Sequence, residues 1–314
     1  MAIFQIKNDK FIKIKEEKFD YEKDLQSLVE KNLEEVFGLE FISGSLNNEF
    51  SVRGQQQSFY IDTLAFDPQA NSFVIIEYKK DRSFSVIDQG YTYLSLMLSN
   101  KAEFILHYNE KKNKNLKRDD VDWTQSRVVF IAREFTPYQK GAIGFKDLPI
   151  ELWEVQYMEN DLILFNQIKS AEVKESITKV TSSNTVKEVS QEVKDYSFED
   201  HENKASSLIK PVLRKLREKI MLLDENIKEK AVKNYLGYKL NWYNFVSIHV
   251  YQSKLKVYVR INSLKSDAEK RFTKVPESYK WGKTPLWWMN ISKDTELDYA
   301  IEIIKESYEA APDH

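Results

Sequence analysis

The stretch Phe59-Tyr60-Ile61-Asp62-Thr63-Leu64-Ala65-Phe66-Asp67-Pro68-Gln69-Ala70-Asn71-Ser72-Phe73-Val74-Ile75-Ile76-Glu77-Tyr78-Lys79 decides the fold. It holds two apolar runs, Phe59–Phe66 and Phe73–Lys79, separated by the turn formers Asp67-Pro68 and Asn71-Ser72. Runs of this length joined by such residues fold back on each other as an antiparallel pair. Asp62 stands in the middle of the first run and Glu77 and Lys79 close the second. Side chains alternate along a strand, so Glu77 and Lys79 point to one face and Tyr78 to the other. If Asp62 faces the same way from the neighbouring strand, two carboxylates and an amine converge. Such carboxylates repel unless a cation lies between them, and hard oxygen donors with few protein contacts suit Mg²⁺, with Mn²⁺ as a substitute. An unpaired carboxylate among apolar neighbours is costly to bury, which argues against Asp62 being there by chance.

Asp62, a gap, then Glu77-x-Lys79 resembles the signature of the PD-(D/E)xK nuclease superfamily, with Ile61 where the signature has proline. Gln89-Gly-Tyr-Thr-Tyr93 resembles the Gln-x-x-x-Tyr element of its RecB-like branch. The resemblance implies an α/β fold, a restriction-endonuclease-like mixed central sheet flanked by helices. It also implies hydrolysis of DNA phosphodiester bonds, by an endonuclease rather than an exonuclease, with Mg²⁺ as cofactor and DNA as partner. Asp62 and Glu77 would hold the metal, Lys79 would orient water or stabilise developing charge, and Gln89 would position phosphate or water. A helix ahead of the strands often supplies a further glutamate in this superfamily, and Glu22 is the matching position. Lys80, Arg82 and Tyr93 are the candidate nucleic-acid contacts beside the cleft. The rival reading, from another class, is a non-catalytic adaptor that keeps the fold as a platform for nucleic acid or protein.

Around this centre the chain reads as follows. Residues 3–16 form a hairpin about Asn8-Asp9, and a helix runs from about Tyr21 to Phe37 with Leu25, Leu28, Val29, Leu33 and Val36 as its apolar stripe. Glu22 and Asn32 project into that stripe, whereas Glu30 and Glu34 face away. Glu49 could lean over the site, although an edge carboxylate is usually solvated. Ser85–Leu98 reads as a helix with Val86, Gln89, Tyr93, Leu94 and Met97 on one side. Glu103–Tyr108, Arg127–Ala132, Ile150–Val155 and Leu162–Phe165 read as strands. The lysine-rich run 109–122 reads as a surface loop, or as a phosphate contact beside the cleft.

Residues 1–165 thus form a nuclease-like domain. Residues 166–206, rich in Ser, Thr, Lys and Glu, read as a polar linker, and 207–314 as a smaller α+β domain. In that last part Leu208, Val212, Leu216 and Ile220 make a helical seam, a second helix is expected at Ile227–Tyr235, and several alternating strands precede a closing helix. This order resembles the DUF5655 family, found at the end of bacterial proteins that often carry a nuclease-like domain in front. Trp242, Tyr243, Trp281, Trp287 and Trp288 could stack on bases or form the core of that domain. His249 reads as an ordinary strand residue.

Composition sets the limits. A chain of 314 residues with 42% hydrophobic and 31% charged content has room for two domains with well-solvated surfaces. No apolar run approaches the roughly 20 residues of a membrane helix, and the opening Met-Ala-Ile-Phe-Gln-Ile-Lys has no signal-peptide core, so a cytoplasmic location is expected. The absence of cysteine excludes disulfides and thiolate metal sites, and four scattered histidines give no zinc spacing. A net charge of −2 is unlike a dedicated DNA-binding domain, so any basic surface must be local. A homodimer fits the expected chemistry, and the C-terminal domain is expected to bind a protein or nucleic acid.

Overall fold

The alternation along Phe73–Lys79 separates two cores. In a computed structural model, which describes residues 2–17, 22–45, 50–54, 58–79, 85–145, 148–168, 176–179, 181–276 and 284–312, the chain divides into two units. The first comprises residues 1–67 and 72–194, the second 68–71 and 195–314.

In the first unit, β1 (Phe4–Lys7) and β2 (Lys10–Lys13) form the expected hairpin, with Asn8 and Asp9 at positive φ, and β3 (Glu16–Glu17) follows. The expected long helix is broken into α1 (Glu22–Lys31) and α2 (Leu33–Phe37), which Gly38 closes at φ 65°. Next come β4 (Glu40–Ser43), β5 (Phe50–Arg53), β6 (Ser58–Ile61), β7 (Thr63–Asp67) and β8 (Ser72–Lys79). They are followed by α3 (Val86–Ser99), α4 (Lys101–Lys112), β9 (Arg127–Ala132), α5 (Pro137–Ala142), β10 (Ile150–Met158), β11 (Leu162–Gln167) and α6 (Asn184–Glu192). The main sheet is mixed, in the order β11-β10-β9-β8-β7-β4, with β3 alongside β10. β8, β9 and β10 run parallel, and the outer pairs are antiparallel. β5 and β6 pair separately.

Val74, Ile76 and Tyr78 of β8 pack with Leu25, Val29, Leu33 and Phe37 of α1 and α2. Phe73 and Ile75 pack on the other face with Tyr91, Leu94 and Met97 of α3 and Phe104 and Tyr108 of α4. The architecture is therefore a mixed α/β layer sandwich. The expected strand Glu103–Tyr108 is instead part of α4: only Phe104 and Tyr108 of this helix are fully buried, a one-turn spacing that suits a helix and not a strand.

The expected polar linker contributes to the first unit. Ile177, Val186 and Val189 are buried in the α3-side core, with α6 capped by the Ser183 hydroxyl and anchored by Val186 and Val189, one turn apart on a short amphipathic helix.

The second unit contains α7 (Phe198–Glu202), α8 (Ile209–Met221), β12 (Lys228–Ala231), β13 (Leu236–Leu240), β14 (Tyr243–Val250), β15 (Leu255–Arg260), β16 (Thr273–Lys274), β17 (Leu286–Ile291) and α9 (Leu297–Glu309). Its sheet is antiparallel, in the order β12-β13-β14-β15-β17-β16. Val212, Leu213, Leu216 and Ile220 of α8 and Ile303 and Ile304 of α9 share a core with Val246, Ile248, Val257, Val259, Met289 and Ile291. Two sequence expectations change here. Leu208 is 81% exposed and lies outside the seam, and the helix expected at Ile227–Tyr235 is replaced by β12, whose Lys-Glu-Lys alternation puts charges on both faces of an edge strand. No helix among the described residues is long and apolar enough to cross a membrane.

Candidate active site

Three of the candidate side chains converge because of strand register. Thr63 pairs with Ile76, so Asp62 and Glu77 are the next residues outward on β7 and β8. A bend at Asp62 separates β6 from β7, which differs from the single strand expected over Phe59–Phe66. The Asp62 amide donates to Glu77 Oε1 at 3.3 Å, and the Tyr78 amide donates to Asp62 Oδ2 at 3.0 Å. Lys79, two residues on and therefore on the same face, places Nζ 3.3 Å from Glu77 Oε2 and 5.8 Å from the centre of the Phe130 ring.

Gln89 reaches the same carboxylate from α3. The Ser85 hydroxyl caps this helix by accepting from the Asp88 amide at 3.3 Å, which fixes its first turn over the end of β8. Gln89 Nε2 then donates to Glu77 Oε2 at 3.3 Å. Gln89 Oε1 is buried and has no hydrogen-bond partner among the described residues, leaving an acceptor for water or a ligand donor beside the carboxylates.

Glu77 is 2% exposed. Burial first, and then the neighbouring Asp62 charge, push its carboxyl up to about 8, with Lys79 opposing the shift. A carboxyl in that state favours a proton or another cation. Among the described residues no group of three or more Asp, Glu or His side chains is placed to hold a metal ion.

The remaining candidates are distributed differently. Glu22 lies in α1, but its side chain is outside the described residues, as are Lys80, Arg82, Glu49 and Trp281. Tyr93 is 8% exposed and its hydroxyl donates to the Tyr60 carbonyl at 3.1 Å, so it braces β6. Burial, and then the charge of Glu77, raise its phenol above the ordinary value, which keeps that donor in place. Asn32 is exposed and bonds the Leu28 carbonyl at 2.8 Å, outside the apolar stripe. Within the 109–122 run, Lys112 and Lys114 both pair with Glu40 at 3.4 Å, which commits these two cations to the protein itself. Tyr243 belongs to the core of the second unit, with Trp242 and Trp287 packed against it.

Sequence reasoning missed a polar cluster on the opposite face of the sheet. Glu30, expected to face solvent, is 3% exposed. Its Oε1 accepts from Gln26 Nε2 at 2.9 Å, the Ser45 amide at 2.9 Å and the Thr63 hydroxyl at 2.6 Å, while Oε2 accepts from the Ser45 hydroxyl at 2.7 Å. Gln26 Nε2 also donates to the Asp62 carbonyl at 2.7 Å. Asp62 is therefore held from one face through its carbonyl and from the other through its amide and carboxylate. Gly44 completes the clamp, since a Cβ there would lie 2.1 Å from Glu30 Oε1 and 2.9 Å from the Asp62 carbonyl oxygen. The spacing of Gln26 and Glu30, four residues apart and in step with Leu25 and Val29, was the available signal.

Residues 198–311 match the family described as "Domain of unknown function (DUF5655)". A Haemophilus influenzae protein described as "Uncharacterized protein" is 37% identical over 309 residues, covering 98% of this chain and 99% of that one. No solved structure matches the chain.

Proposed function

We propose that this chain, which belongs to the same family as the Haemophilus influenzae protein over nearly its whole length and carries a DUF5655 domain at residues 198–311, is a metal-dependent nuclease that hydrolyses DNA phosphodiester bonds. In this reading the mixed sheet of the first unit is a restriction-endonuclease-like sheet of the PD-(D/E)xK type. The observation that carries it is the convergence of Asp62, Lys79 and Gln89 on the buried Glu77 carboxylate.

Asp62 and Glu77 are the residues that would hold Mg²⁺ or Mn²⁺, and Glu22 remains the third candidate by resemblance. A bound divalent ion supplies Lewis-acid polarisation of the phosphodiester and a more acidic water. Lys79 presents an ammonium at the same place, where it stabilises negative charge developing on the phosphorus oxygens. Gln89 fixes the Glu77 rotamer through one amide atom and offers the other, Oε1, to the attacking water. The buried clamp of Gln26 and Glu30 keeps Asp62 from moving with respect to Glu77.

The alternative, a non-catalytic adaptor on the same fold, is favoured by the burial of Glu77, whose raised carboxyl holds a proton without a metal. The two readings separate in one experiment: supercoiled plasmid, linear duplex, single-stranded DNA and RNA are incubated with the protein in Mg²⁺, Mn²⁺ or EDTA. A nuclease converts DNA to products in either metal and not in EDTA. No product from any substrate in either metal leaves the adaptor reading.

A further inference from the structure

The chain has a net charge of −2, yet the described strands of its second unit present basic and aromatic side chains on one face of their sheet. α8 and α9 cover one face of the β12–β17 sheet through Val246, Ile248, Val257, Val259, Met289 and Ile291. The strand pairings place a different set on the opposite face. Lys228 pairs with Lys239, Lys230 with Gly237, Gly237 with Ser247, His249 with Lys256, Tyr258 with Trp288, and Lys256 with Asn290. Glu229 is the one acidic residue in the described strands of this sheet. It pairs across the strands with the core residue Tyr238 and is bound by Arg217 at 2.7 Å, so it belongs to the helix-covered face.

The aromatic rings on the open face adjoin one another. The rings of His249 and Tyr258 are 5.0 Å apart, and Tyr258 stands directly across from Trp288 on the next strand. Lys256 Nζ lies 3.9 Å from the centre of the Trp288 ring and 5.0 Å from that of Tyr258. Lys228 and Asn290 are exposed, Lys239, His249, Lys256, Tyr258 and Trp288 are half-buried, and Lys230 is exposed but paired with Asp195 at 3.1 Å.

We propose that this face, opposite the one covered by α8 and α9, binds single-stranded nucleic acid, with unpaired bases on the Trp288 and Tyr258 rings and phosphates on Lys256 and Lys228. A stack of π faces flanked by ammonium groups matches a polymer of flat bases joined by anionic linkers. Every base has a π face, so the surface reads strandedness more than sequence. A duplex hides its base faces and gains only the lysines. An entering base displaces the Lys256 ammonium from the ring, and the freed charge meets the adjoining phosphate. The inference deepens the nuclease reading by naming the partner of the second unit, but it stands on the geometry of that unit alone.

The test is fluorescence anisotropy of a short labelled oligothymidylate with the full chain in EDTA, where no metal-dependent cutting occurs. Trp288→Ala is expected to weaken binding on the order of tenfold. Trp288→Phe, which retains a ring, should recover most of the loss. Lys256→Ala should weaken binding and reduce the slope of log affinity against log salt by about 0.7. A duplex should bind more weakly and be indifferent to Trp288→Ala. If Trp288→Ala alters the melting temperature, Trp288→Phe and Lys256→Ala decide. Wild type that does not bind the oligonucleotide, or variants that bind as wild type does, overturn the proposal. The two readings fail separately: wild type whose oligonucleotide binding depends on Trp288 but which cuts no DNA in Mg²⁺ refutes only the nuclease reading, and wild type that cuts DNA but binds as well with Trp288→Ala refutes only this one.

Discussion

Asp62→Ala and Lys79→Ala are each expected to lower metal-dependent DNA cleavage by at least about 10²–10³-fold while leaving the fold intact. Asp62 is half-buried at a bend, where its carboxylate accepts from the Tyr78 amide and repels Glu77. Removing it forfeits that hydrogen bond, about 1 kcal/mol, but also relieves the repulsion, so folding changes little. Lys79 sits at the end of β8 with its amine against Glu77 and the Phe130 ring. Its truncation removes the positive charge nearest the carboxylates without opening the core formed by Phe73 and Ile75. Initial rates on plasmid, with circular dichroism spectra of each variant, measure both effects. Cleavage retained at the wild-type rate in both variants refutes the assignment.

Glu77→Gln should stabilise the metal-free protein at pH 8 and remove much of its pH dependence. The folded chain raises this carboxyl from 4.5 to about 8, so it favours the protonated form more than the unfolded chain does. Stability from this group is fully present below about pH 4.5 and is lost as pH rises through about 8, the reverse of an ordinary ion-paired carboxylate. Because the group is 2% exposed, a shift of this size corresponds to a few kcal/mol across that window. Urea unfolding in EDTA at pH 5, 6, 7 and 8 should therefore show wild type falling relative to Glu77→Gln as pH rises. Adding Mg²⁺ should recover wild type and not the variant, since a ligand that binds the folded state adds stability. Parallel curves for the two proteins across the series would contradict the account.

The centre of the first unit was legible because its information is local. A strand pair joined by a short turn fixes which residues face each other, and the alternation along β8 alone puts Glu77 and Lys79 on one side and Tyr78 on the other. Gln89 followed from the Gln-x-x-x-Tyr resemblance and from helical spacing, whereas the Ser85 cap that seats its helix appears only in the structure. Glu30 was not legible in the same way. A glutamate 100° off the Leu25–Val29 stripe reads as solvated unless its partners are known, and Ser45 and Thr63 come from distant segments. The Glu103–Tyr108 segment misled for a related reason: three apolar residues in a row suit a strand, and only tertiary packing shows that Phe104 and Tyr108 alone of this helix are buried. In the second unit the lysines of β12 suggested a helix surface, although their spacing of two was the mark of the strand found there. The base-stacking reading divided similarly. Trp287 and Trp288 are adjacent in sequence but face opposite sides, so one packs against the core and the other lies on the open sheet.

The central claim is that Asp62 and Glu77 share one hard cation, and a calorimetric titration of Mn²⁺ into wild type and Asp62→Ala at pH 7 tests it most directly. The account predicts saturable binding in wild type, accompanied by release of the Glu77 proton to the buffer, and the loss of both in the variant. Identical heats from the two proteins, or no binding to wild type, would contradict it.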